Sequence, residues 1–146
     1  MAIESNLSGT GRVFIGTDTT LRYTIYDADA TADTITAGTA SPVNVSGWTF
    51  AWILRAKDTS PGAPLIEKRS DDSPAAITVT GNYDSDPVIN TQRVEVFLLD
   101  TDTAAQDGSA ALLKPKVYRY ALKRTDEDAE TILAFGECEL MQVTAL

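Results

Sequence analysis

Carboxylates are the most abundant charged side chains in this chain, and they cluster. Asp27, Asp29 and Asp33 form one group, Asp100 and Asp102 a second, and Asp126, Glu127, Asp128 and Glu130 a third. Oxygen ligands on loops are what calcium requires, but none of these groups has the twelve-residue spacing of an EF-hand. The expectation is therefore solvated loop faces and no metal site. Paired carboxylates can also hydrolyse glycosides when they flank a cleft. With 21 acidic residues in the chain, chance pairs are frequent, and no cleft can be argued. No catalytic residue is assigned.

The chain has no histidine. That removes Ser-His-Asp and Cys-His catalysis, histidine metal sites and simple near-neutral switching. Cys138 is the single cysteine, so an intramolecular disulfide and a Cys-rich zinc site are both excluded. Alternating residues around Cys138 predict a buried, inert thiol in a strand rather than a nucleophile. Gly9-Thr10-Gly11 is not followed by a helical pattern and carries no phosphate-binding weight. A protein that is not an enzyme and needs no cofactor is expected.

Aromatic side chains are the remaining candidates. Tyr23, Tyr118, Tyr120, Trp48 and Trp52 could stack on a sugar. Their spacing favours a core instead. Trp48, Phe50, Trp52 and Leu54 fall on every second position, and that period places them on one face of an extended strand. Leu21, Tyr23 and Ile25 repeat the pattern, as do Val94, Val96 and Leu98, and Tyr118, Tyr120 and Leu122.

These strands require a two-layer β fold to bury their apolar faces. Further strands are predicted over residues 11–15, 65–69, 77–79 and 131–143, giving about eight in all. Turn signals every 8–12 residues or so mark a sandwich or barrel. Gly136 suggests a bulge or bend in the long last strand. One short helical turn is expected near residues 102–107, where Asp102 could accept from free backbone N–H groups ahead of it. Asp27 to Pro42 is a long loop rich in Asp, Ala, Thr and Gly, with a small flap expected at Thr34-Ile35-Thr36. The organisation predicted is an arm over residues 1–10 and one domain over 11–146.

The 146 residues suffice for one domain with a real core. The net charge of −9 argues against a nucleic-acid partner and against anionic membrane surfaces, and favours solubility. No run approaches the roughly 18 apolar residues of a membrane span. The first residues show no secretory signal.

The order of short motifs carries a resemblance. Gly16-Thr17-Asp18-Thr19-Thr20-Leu21 comes first, then Pro42-Val43-Asn44-Val45-Ser46-Gly47-Trp48. Pro64-Leu65-Ile66-Glu67-Lys68 and Ala76-Ile77-Thr78-Val79 follow. Asp102-Thr103-Ala104-Ala105, Tyr118-Arg119-Tyr120-Ala121-Leu122 and a closing strand complete the series. Over about Gly16 to Val143 the chain resembles the small immunoglobulin-like domains of tailed-phage structural proteins, as in the baseplate upper protein family. The resemblance implies an all-β, immunoglobulin-like antiparallel sandwich held without a disulfide. It implies a virion protein that docks a rigid sandwich into the tail, baseplate or fibre-attachment region, with other virion structural proteins as partners in a symmetric multimer. A head decoration or cement protein on the capsid is the first alternative, and a carbohydrate-binding module for host glycans the second. The Asp27 to Pro42 loop and the first ten residues are the docking candidates.

Overall fold

Period-two alternation becomes burial wherever two sheets meet. The computed structural model describes residues 3–6, 12–15, 18–56, 64–103, 116–126 and 131–142. One sheet holds four strands in the order β1 (Ile3–Asn6), β3 (Thr19–Ile25), β7 (Arg93–Leu98) and β6 (Ile77–Thr80). The other holds five, in the order β2 (Arg12–Ile15), β9 (Thr131–Gln142), β8 (Lys116–Arg124), β4 (Phe50–Ala56) and β5 (Ile66–Arg69). In β7, Val94, Val96 and Leu98 are buried while Arg93, Glu95 and Phe97 are only partly so. β3 sends Leu21, Tyr23 and Ile25 into the same core.

This strand order is the immunoglobulin arrangement. β1, β3, β7 and β6 occupy the A, B, E and D places, and β4, β8 and β9 the C, F and G places, with β5 added beside β4. The fold departs from the expected purely antiparallel sandwich at one edge. β2 runs parallel to β9, with Arg12 opposite Glu139 and Ile15 opposite Gln142. The leading segment is divided between the sheets: β1, from within the N-terminal arm, pairs with β3, and β2 closes the far edge.

The centre of the core is aromatic. Trp52 of β4 donates from Nε1 to Tyr23 Oη of β3 at 2.9 Å. Tyr120 of β8 stacks on Trp52, with ring centroids 6.1 Å apart and planes 17° from parallel. Tyr23 and Tyr120 lie 6.2 Å apart. Antibody domains place a disulfide between the B and F strands, packed on a tryptophan of strand C. Here two tyrosines take the place of the two sulfurs. Burial and the hydrogen bond answer each other: neither the indole N–H nor the phenol is left unpaired in an apolar site, where an orphan would cost about 1–3 kcal/mol.

Gly136 is explained by the same cluster. It faces Tyr120 across the ladder, and a Cβ there would sit 3.2 Å from the tyrosine ring. The ladder irregularity lies at Leu122/Lys123 instead, so the glycine makes room for a ring and does not mark the bulge.

Helix content differs from expectation. The Asp27 to Pro42 loop contains α1 (Ala32–Thr36), where only a small flap was predicted. Thr34 N donates to Thr31 Oγ1 at 3.2 Å and Thr31 N donates to Thr34 Oγ1 at 2.8 Å, a reciprocal cap with threonine in place of the usual glutamate. Gly38, at φ +74°, ends the turn in the left-handed region that favours glycine. The second turn, α2, spans Asp100–Thr103, and residues 104–107 lie outside the described residues. The N–H groups two and three residues ahead, which Asp102 was expected to accept from, lie outside the described residues, and Asp102 also reaches backward. Its Oδ2 accepts from Leu99 N at 2.7 Å, and its Oδ1 pairs with Lys68 Nζ at 2.7 Å, tying the turn to β5.

Candidate interaction surface

The outward face of the five-stranded sheet follows from the same alternation. If Phe50, Trp52 and Leu54 point inward, Ala51, Ile53 and Arg55 must point out. Register then builds rows across the sheet. Ile53 stands opposite Ala121, and Ala121 opposite Phe135. One row along, Arg55 stands opposite Arg119, and Arg119 opposite Glu137. One row the other way, Ala51 stands opposite Lys123, and Lys123 opposite Ile132. The result is an apolar centre with a mainly basic border.

That centre is open. Phe135 is 77% exposed and Ile132 52%, although both lie within a paired strand of the sheet. Ile53 and Ala121 form the floor of a concavity of about 540 Å³, walled by Phe135 and Ile132 and rimmed by Arg55, Arg119, Lys123 and Glu137. Single exposed apolar residues are normal, but several gathered in a hollow with a polar rim mark a contact site. Periodicity could not find it. Thr131-Ile132-Leu133-Ala134-Phe135 is apolar on both phases, and the irregularity beside Leu122/Lys123 changes which phase faces out.

The residues singled out for chemistry are dispersed and occupied in holding the fold. Asp27 Oδ1 accepts from Asp29 N at 2.9 Å, forming a turn, and Asp33 sits in the first turn of α1. Asp126 binds Arg124 through both oxygens, at 2.9 and 3.0 Å, and accepts from Thr49 N at 3.2 Å. The Arg124 guanidinium beside it lowers its carboxyl to about 2. Glu127, Asp128 and Glu130 lie outside the described residues. Among the described residues, no three carboxylate or thiol groups converge in a way that could hold a metal ion. Cys138 is buried, and burial pushes its thiol up to about 11, which keeps it protonated and unreactive at neutral pH. Burial likewise raises the Tyr23 phenol well above its ordinary value, with Tyr120 adding to the effect and the Trp52 hydrogen bond opposing it.

The aromatic candidates divide. Tyr23, Trp52, Tyr118 and Tyr120 are core. Trp48 is not, which corrects the expectation of a buried ring. β4 starts at Phe50, and Trp48 lies in the turn before it, half-buried. The Arg124 guanidinium covers its ring at 3.7 Å from the centroid. Arg124, Asp126 and Trp48 thus latch the entry to β4 against the exit from β8, helped by Thr125 N donating to Thr49 O at 2.9 Å. No helix among the described residues is long and apolar enough to cross a membrane.

Fold and surface together define a β-sandwich of immunoglobulin topology that carries an open apolar face. No family model matches the chain, and no curated protein matches it.

Proposed function

We propose that the protein is a non-catalytic structural component of a tailed-phage virion that docks through the outward face of its five-stranded sheet. The open Phe135/Ile132/Ile53 hollow on a disulfide-free sandwich carries the docking part of this reading. The virion address rests on the ordered motifs from Gly16 to the closing strand. A rigid sandwich suits such a role, because little conformational entropy remains to be lost on assembly. The glycan-binding alternative loses its platform: Trp52, Tyr23, Tyr118 and Tyr120 are buried, and one face of Trp48 is covered by Arg124.

Mass spectrometry of purified particles of the encoding phage tests the reading. The polypeptide is expected in the particle, with cross-links from Lys123 to a neighbouring virion protein. Copy number separates a tail component, at a few to tens, from a capsid decoration protein, at hundreds. Particles without the polypeptide would overturn the assignment.

A further inference from the structure

The loop between β6 and β7 is an apolar tip on a rigid base. Val88 is 82% exposed and Ile89 60%, the pair standing side by side. The loop is held from within. Asp86 N donates to Asp84 Oδ1 at 2.8 Å, and Val88 N donates to Asp86 Oδ1 at 2.9 Å. Asn90 N donates to Asp86 O at 2.9 Å, and Asp84 N to the buried Asn90 Oδ1 at 3.0 Å. At the base, Asn82 N donates to Thr91 Oγ1 at 2.9 Å and Thr91 N donates to Asn82 O at 3.0 Å, across the loop neck. Gln92, also buried, anchors it to the loop before β4 through Val45 N at 3.0 Å and Ser46 Oγ at 3.0 Å. The two aliphatic side chains are therefore displayed by a preorganised scaffold.

The same chain carries a matching receptor, the hollow at Ile53, Ile132 and Phe135. Tip and hollow cannot meet within one molecule: the tip caps a hairpin of the four-stranded sheet, and the hollow lies on the outer face of the other sheet. Their charges are opposite. Asp84 and Asp86 flank the tip, whereas three cations, Arg55, Arg119 and Lys123, against one carboxylate, Glu137, rim the hollow. Face-to-face pairing of two hollows would instead bring together two rims that each carry three cations and one carboxylate, which disfavours it.

We infer that the occupant of the hollow is a second copy of this chain, which inserts Val88 and Ile89 between Ile132 and Phe135 and brings Asp84 and Asp86 to the basic rim. Such a contact is heterologous, so it propagates head to tail and closes into a ring if the rotation allows. It deepens the docking reading above and rests on it, by naming the partner that fills the hollow.

Sedimentation velocity on the purified chain over a concentration series tests the inference. Association is expected to rise with concentration and to weaken with salt. The tip variant Val88→Ser/Ile89→Ser and the hollow variant Ile132→Thr/Phe135→Thr should each weaken association at least about tenfold, the equivalent of roughly 1.4 kcal/mol. Mixing the two variants should produce dimers and nothing larger, since only one intact tip–hollow pair remains between them. Both variants replace exposed side chains, and a thermal melt by circular dichroism verifies folding.

Three results would overturn it: a wild-type chain that stays monomeric throughout, association that survives the tip variant but not the hollow variant, or a variant mixture that assembles beyond dimers. Failure here with the polypeptide present in virions leaves the docking reading standing with another partner. Association in solution with the polypeptide absent from virions overturns only the virion address.

Discussion

The two outward faces of the sandwich are built by the same alternation and have opposite character. On the four-stranded sheet, Arg22 of β3 stands opposite Glu95 of β7 and pairs with it at 2.8 Å, and Thr78 of β6 stands opposite Glu95 on its other side. Thr20, Thr80 and Arg93 continue that face, and among the described side chains Phe97 is its one large apolar residue, half-buried. On the five-stranded sheet, the corresponding rows hold Ile53, Ala121, Ile132 and Phe135. Antiparallel sheets commonly turn one apolar face to the core and one polar face to water. The four-stranded sheet obeys that rule and the five-stranded sheet does not. Its outer apolar residues Ile132 and Phe135 stay exposed, and that exposure is what the proposed docking would cover.

The largest perturbation should fall between the faces. Trp52→Ala removes the ring that Tyr120 stacks on and orphans the Tyr23 hydroxyl, and it is expected to cost about 3–5 kcal/mol in urea or thermal unfolding. A change below about 1 kcal/mol would show that the aromatic cluster does not hold the sheets together.

Gly81→Ala comes next. Gly81 has φ +76°, and a Cβ there would lie 2.1 Å from the Thr91 carbonyl oxygen. Backbone must move, at roughly 1–3 kcal/mol or more, and the loop carrying Val88 and Ile89 should lose order. Amide exchange at residues 82–92 would rise well above that of β3. Exchange that stays unchanged would contradict a preorganised tip.

Substitutions on the two outer faces form the sharpest contrast. Arg22→Ala removes a partly exposed ion pair and should cost no more than about 1 kcal/mol. Ile132→Thr/Phe135→Thr should change stability by roughly 0.5 kcal/mol or less, because both side chains are exposed and threonine suits a strand. Only the second should alter association. Equal effects of the two on association would remove the functional distinction between the faces.

Two smaller effects follow from protonation. Asp126 titrates near 2 in the folded chain and near 3.8 in its absence, so its contribution to stability is complete above about pH 4 and is lost as pH falls toward 2. Asp126→Asn should reduce the loss of stability between pH 5 and pH 2.5, measured by urea midpoints. Cys138 should resist thiol reagents at pH 8 in the native protein and react promptly in denaturant. Fast labelling of the folded chain would place it outside the core.

Most of the architecture was legible because alternation is a local property. Leu21/Tyr23/Ile25, Val94/Val96/Leu98 and Tyr118/Tyr120/Leu122 declare their faces without reference to any other strand, and each is buried. Trp48 broke the pattern because a strand can begin later than its periodicity suggests, and the turn at Ser46-Gly47 sets that start. The helix at Ala32–Thr36 escaped notice because its cap is threonine to threonine, a signal too weak to separate from an ordinary polar loop. The exposed apolar surface was illegible for a different reason. Val88-Ile89 and Ile132/Phe135 are apolar like the core, and nothing local separates an apolar residue that is covered from one that is not.

By itself, the sequence determined an all-β chain with no histidine, no disulfide and an alternating core centred on the Trp52 strand, because composition and a period of two depend only on neighbouring residues. The tertiary structure decided that Tyr23 and Tyr120 would bracket Trp52, that β2 would join β9 in parallel, and that one outer face would remain apolar. These depend on which strands lie side by side and in what register, and pairing between distant segments is set by the packing of the whole chain.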